Sequence, residues 1–121
     1  FGGALYIYPP SGAGATCTNM IVWGNNGSGW GRTAEQTFTY SIVEGGYTGT
    51  GNLSTDPLFV DPANDDYRLQ AGSPAIDAAD GSLATDFDIA GTARVDDPVE
   101  ANDGVGPPWV DMGAYEGAVA P

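Results

Sequence analysis

Every run of this sequence that could form a strand is short, and each is closed by glycine, proline, asparagine or aspartate. Residues 2–8 stop at Pro9-Pro10, residues 16–23 stop at Gly24-Asn25-Asn26-Gly27, and residues 37–44 alternate polar and apolar up to Gly45-Gly46. Alternation with period two marks a strand with one buried face, and the intervening clusters interrupt any helical period. With 19 glycines and 9 prolines in 121 residues and few strong helix formers besides alanine, the chain reads as all-β with little or no helix. Runs as short as Leu58-Phe59-Val60 and Tyr67-Arg68-Leu69 need partners. Stacked coils or a β-sandwich would both supply them, and the pattern alone leaves the two open.

Charge excludes some partners. The formal net charge is −13, lysine and histidine are absent, and the cations are Arg32, Arg68 and Arg94. Such a surface repels phosphate backbones and anionic head groups, so neither nucleic-acid binding nor membrane insertion is expected. Cys17, the single cysteine, has no intrachain partner and no histidine to activate it, and reads as a small buried hydrophobe. The sequence opens at Phe1 without a signal-type apolar stretch, as a processed chain or a piece of a longer one would.

All acidic residues except Glu35 and Glu44 lie from Asp56 onward, many within four motifs in fixed order. These are Asp56-Pro57-Leu58-Phe59-Val60-Asp61-Pro62, Tyr67-Arg68-Leu69-Gln70, Ser73-Pro74-Ala75-Ile76-Asp77 and Val110-Asp111-Met112-Gly113-Ala114-Tyr115-Glu116. Together they resemble the closing segment of secreted right-handed parallel β-helix proteins of the choice-of-anchor Q or pectate-lyase-like type. Upstream, Gly2 to Tyr6, Asn19 to Asn25 and Tyr40 to Gly46 are similar to the coil sequences of that family. The resemblance implies a short right-handed parallel β-helix (solenoid) over residues 1–76, closed by an acidic, loop-rich cap over residues 77–121 with a final strand from Val110 to Tyr115. It also implies that Asn19 bonds neighbouring coils.

Asp86-Phe87-Asp88 alternates carboxylates ahead of Gly91, a spacing that can turn two hard oxygen ligands toward one calcium ion. The structural alternative is that these aspartates cap turns and pair with Arg94. In the resembled family the stretch reads Thr-Asp-Leu-Asp-Gly-x-x-Arg; Thr85, Asp86, Asp88, Gly91 and Arg94 match it, with Ile89-Ala90 standing as an insertion. Arg68 is expected to be partly buried among carboxylates. Among the aromatic residues Trp23, Trp30, Tyr40, Tyr47 and Trp109, the glycine-flanked Trp30 is the candidate for stacking on a sugar ring. Asn26 and Asn52 fit glycan acceptor sequons.

Uronic-acid lyases of the resembled type use an Arg or Lys base with cations that neutralise the substrate carboxylate, and a chain with no Lys, no His and three scattered Arg residues lacks those ingredients; abundant aspartates single out no hydrolytic pair. The chain is therefore expected to be non-catalytic, secreted or displayed at the cell surface. The reading that follows is a structural protein that self-associates head to tail into a fibre or surface layer, with calcium as the one cofactor in view. The uncapped strand Leu5, Tyr6, Ile7 and Tyr8 would be the self-association edge. The alternative is the C-terminal module of a larger polysaccharide-binding or polysaccharide-degrading protein, in which upstream coils continue that edge.

Overall fold

The computed structural model describes residues 5–6, 14–25, 30–31 and 36–117. Its first half is built from parallel pairs: β1 (Leu5–Tyr6) with β4 (Trp30–Gly31), β2 (Ala15–Thr18) with β5 (Gln36–Thr39), and β3 (Ile21–Val22) with β6 (Ile42–Val43). Between β2 and β3, and at the matching place between β5 and β6, the chain turns a corner through a residue of positive φ, Asn19 at 61° and Tyr40 at 46°. Asparagine tolerates this conformation, whereas for tyrosine it is uncommon. The bond from the Tyr40 N–H to the Thr50 carbonyl (2.8 Å) helps hold it. The alternating run over residues 37–44 is thus two short strands rather than one.

The corners set the packing. Before the bend, Gln36 and Phe38 face inward and Thr37 outward, the period-two pattern of a half-buried strand. Beyond it, both residues of β6 are buried because a core lies on each side. Val22 and Val43 pack with Phe38, Cys17, Met20 and Tyr47. Ile42 joins Leu69, Ala75, Ile76, Ala78, Ala79, Val110 and Met112, flanked by Ile21, Trp23 and Phe59.

The second half departs from the expected architecture. Gly45 and Gly46, at φ 82° and 84°, turn the chain out of β6. A third parallel partner arrives only as an isolated bridge from Leu53 to Ile42. Next, β7 (Phe59–Asp61) runs through a 3₁₀ turn, Pro62–Asn64, into β8 (Asp66–Leu69), and the two pair antiparallel. So short a connection permits a hairpin, while a parallel pairing requires a long crossover. Asp65, left-handed at φ 61°, completes the reversal. Each sheet among the described residues has two strands, and none is extended into a stack. The chain is therefore not the short right-handed parallel β-helix that the resemblance implied, but a small mixed strand-rich domain.

Residues 77–117 are loop-rich, with a 3₁₀ turn at Gly81–Leu83 and single bridges Asp80 to Val105 and Phe87 to Ala93. The expected strand from Val110 to Tyr115 does not form. This half shares the larger core: the buried run of residues 75–79 crosses the position where the sequence places the start of the cap. Asn19 links the halves by a reciprocal pair, its Nδ2 donating to the Asp80 carbonyl (2.9 Å) and its Oδ1 accepting from the Asp80 N–H (2.7 Å). The amide expected to bond a neighbouring coil thus reaches the acidic half. No helix among the described residues is long and apolar enough to cross a membrane.

Phe38, fully buried and edge-on to Tyr47 at 4.9 Å, anchors the smaller core. Phe38→Ala is expected to lower unfolding free energy by about 3–5 kcal/mol, the usual cost of deleting a buried phenyl ring, as read from urea denaturation.

Candidate functional site

Three parts of the chain meet around a cleft of about 860 Å³. The hairpin supplies Phe59, Tyr67 and Leu69, with Leu58 and Gln70 at its ends; β3 and the turn after it supply Ile21, Trp23 and Asn25; the closing segment supplies Met112, Gly113, Ala114 and Tyr115. Asp56 and Ile89 complete the rim. Phe59 and Tyr67 meet edge to face at 5.4 Å, which fixes the hairpin wall, and Tyr67 remains 45% exposed. Three polar side chains are half committed. Asn25 donates to the Trp23 carbonyl, Gln70 Nε2 to the Phe59 carbonyl, and Asp56 Oδ1 accepts the Leu58 N–H. Asn25 Oδ1, Gln70 Oε1 and Asp56 Oδ2 stay uncommitted among the described residues.

Behind the closing segment lies a buried set of acids: Asp77, Asp97, Asp111 and Glu116. Their carboxylates accept backbone N–H groups. Asp111 Oδ1 takes the Asp77 N–H (2.8 Å) and Oδ2 that of Gly117; Asp77 Oδ2 takes the Asp97 N–H (2.9 Å); Glu116 Oε1 takes that of Val95 (2.9 Å). Arg94, its side chain 12% exposed, donates from Nη1 to Glu116 Oε2 at 2.8 Å. Asp77 Oδ1 is buried and has no hydrogen-bond partner. Burial pushes Asp77 up to about 6, helped by the charges of Asp96, Glu116 and Asp97 and opposed by the bond from the Asp97 N–H. Burial likewise pushes Asp111 up to about 7, against the N–H bonds from Asp77 and Gly117.

The residues singled out from sequence fall in several places. Asp86 is exposed; burial works against the charged form of Asp88, yet bonds from the N–H groups of Glu116, Thr92 and Ala90, with Arg94 nearby, leave its carboxyl below the ordinary value. Asp88 is thus a loop organiser, and among the described residues no group of three or more His, Cys, Asp or Glu is arranged to hold a metal ion. Arg94 pairs with Glu116 rather than with those aspartates. Arg68, expected to be partly buried among carboxylates, has its side chain 66% exposed, and its carboxylate partner among the described residues is Asp66, whose acidity the pairing increases. Asn52 spends its amide on the carbonyls of Phe38 and Tyr47 and on the Ser41 N–H, bonds that a glycan on its nitrogen would displace. Cys17 is half-buried, and burial raises its thiol.

Asn26, Ile7 and Tyr8 lie outside the described residues, as do the side chains of Leu5, Tyr6 and Trp30. Of the aromatic candidates, Trp23 lines the cleft. Phe59, Tyr67 and Tyr115 also line it, although their sequence pattern marked them only as strand residues. Asp77, Asp111 and Glu116 lie within the motifs over residues 73–77 and 110–116, which assign them no role. Their signal was an acid set in an apolar run, as in Ala75-Ile76-Asp77-Ala78-Ala79.

No protein family, curated protein or solved structure matches this chain. The likeness to parallel β-helix proteins rests on its motifs alone.

The buried acids have a consequence for stability. Asp77 and Asp111 hold their protons more tightly folded than unfolded, where an aspartate titrates near about 3.9. Stability is therefore full below that value and drains away as the pH rises from about 4 through about 7. Asp88 has the opposite sign: its contribution is present above the ordinary aspartate range and is lost as the pH falls through its own lowered value. Urea denaturation should find stability falling steadily between about pH 4 and about pH 8, with Asp77→Asn shrinking that fall.

Proposed function

We propose that this chain is a non-catalytic extracellular module that binds a neutral polysaccharide in the cleft between the hairpin and the closing segment. The observation that carries the reading is the lining: Trp23, Phe59, Tyr67 and Tyr115 with the uncommitted oxygens of Asn25, Asp56 and Gln70. A sugar ring presents an apolar C–H face and a rim of hydroxyls, which aromatic walls and hydrogen-bond acceptors match. Neither described arginine lines the cleft: Arg94 is held by Glu116 and Arg68 by Asp66. At a net charge of −13, a uronate carboxylate would enter against repulsion and, among the described residues, without a cation to meet it. One carboxylate, Asp56, is in the lining, so the paired acids of glycoside hydrolysis are not supplied by the described residues there.

A second reading is supported by the parallel β1–β4 pair. Among the described residues each of these strands has a partner on one side, and a free strand edge is a template for another copy. Light scattering in the presence of salt would show growing particles if strand addition there is the function, because screening removes the mutual repulsion.

Titration of the protein with cellohexaose, xylohexaose and chitohexaose, followed by calorimetry and tryptophan fluorescence, tests the first reading. At least one should bind, trigalacturonate should not, and no reducing ends should be released. Tyr67→Ala should weaken binding roughly two- to tenfold, the free energy of one lost aromatic contact. Failure of all three neutral sugars, or a preference for the uronate, would overturn the proposal.

A further inference from the structure

Residues 112–115, one wall of the cleft, lie between two of the buried acids, Asp111 and Glu116. The two ends are clasped to each other. The Asp111 N–H points to Glu116 Oε2 at 3.4 Å, and the Gly117 N–H donates to Asp111 Oδ2. Below them is Asp77, whose own N–H donates to Asp111 Oδ1 and whose Oδ1 is fully buried without a partner. The wall is also anchored by Met112, whose side chain is fully buried in the larger core, and by backbone bonds: Met112 N–H to the Ala75 carbonyl, Gly113 N–H to that of Asn19, and Ile89 N–H to that of Ala114.

We propose that Asp77 and Asp111 form a proton-held latch on this wall: protonated, they keep residues 112–115 closed against the core, and deprotonated, they release them. Charge counting supports the latch. Facing Asp77 and Asp111 are Asp96 and Asp97 from the preceding loop and Glu116 from the closing segment, while Asp88 accepts the Glu116 N–H. The one described cation in the group, Arg94, is engaged by Glu116. Asp96 is exposed and Asp88 half-buried, but with both aspartates ionised the buried Asp77, Asp97, Asp111 and Glu116 would share one positive partner, and an ionised Asp77 Oδ1 would have neither a donor nor solvent. A proton removes the excess at little structural cost. Letting the wall swing out to water is the other way to relieve it. Asp77 also sits at φ 51°, a conformation that asparagine adopts readily, so Asp77→Asn is a neutral substitute that the backbone accommodates.

The effect on ligand rests on the saccharide reading, but the latch does not, so the first test uses the ligand-free protein. Amide hydrogen exchange, corrected for intrinsic rates, is measured near about pH 5 and about pH 8. Protection of residues 112–116 should fall at least about tenfold at the higher pH, and should there lie at least about tenfold below that of Phe38 and Val43, showing an opening smaller than global unfolding. Asp77→Asn should keep the wall protected at both pH values. Unchanged wall protection, or wall amides that exchange only together with β5 and β6, would overturn the latch. If the variant does not fold, carbon NMR of the wild-type carboxyls decides: Asp77 and Asp111 midpoints in the ordinary aspartate range would sink it. An oligosaccharide that binds equally at both pH values while the wall opens would remove only the link to the cleft.

Discussion

In the closing half of this chain, carboxylates satisfy the backbone that strands satisfy in the opening half. The N–H groups of Asp77, Val95, Asp97, Asp111 and Gly117 all donate to the side chains of Asp77, Asp111 or Glu116, and those of Ala90, Thr92 and Glu116 donate to Asp88. Buried N–H groups require partners wherever they lie. A loop-rich segment that packs Ala78, Ala79, Val110 and Met112 into the core has scattered backbone bonds, such as Ala79 N–H to the Val110 carbonyl and Met112 N–H to that of Ala75, in place of a strand ladder. Acids spaced along the segment supply further partners, and the need is met at the cost of burying several groups of one sign.

That cost shapes everything around it. Arg94 offsets part of the charge through Glu116, and proton uptake at Asp77 and Asp111 offsets more. The wall made by residues 112–115 is held at both ends by this network, and the hairpin and β3 supply the facing surfaces. The cleft therefore exists only when two dissimilar structures are joined: a strand-paired half and a carboxylate-braced half. Asn19 is one covalent-free rivet between them, and its positive φ also turns the corner that places Ile21 and Trp23 at the cleft.

Much of the opening half was legible because its rules are local. The alternation over residues 37–44 gave the buried Phe38 face, and the glycine pair after Glu44 gave the turn. The split of that run at Tyr40 was not legible, since nothing local marks a tyrosine for a left-handed conformation. The runs at Leu58 to Val60 and Tyr67 to Leu69 carry a local strand signal, but nothing local sets which strand each pairs with. They close a hairpin on each other, while the resemblance to solenoid sequences suggested continued parallel stacking. Among site residues, Trp23 belonged to the aromatic set considered from sequence, whereas Phe59, Tyr67 and Tyr115 became cleft residues only when distant segments met.

The sequence by itself determined that this protein is strand-rich, turn-dense, strongly acidic and poor in cations, because composition, period-two alternation and glycine and proline punctuation act over a few residues. It set Asp77 and Asp111 inside apolar runs but marked neither with a role. Only the tertiary structure decided that the strands stop at two per sheet, that Asp77 comes to lie against Asp111 and Glu116, and that Arg94 chooses Glu116 over Asp86 or Asp88. Those choices depend on contacts between segments tens of residues apart, where burial rather than local propensity sets which partner a backbone N–H or a charge can find.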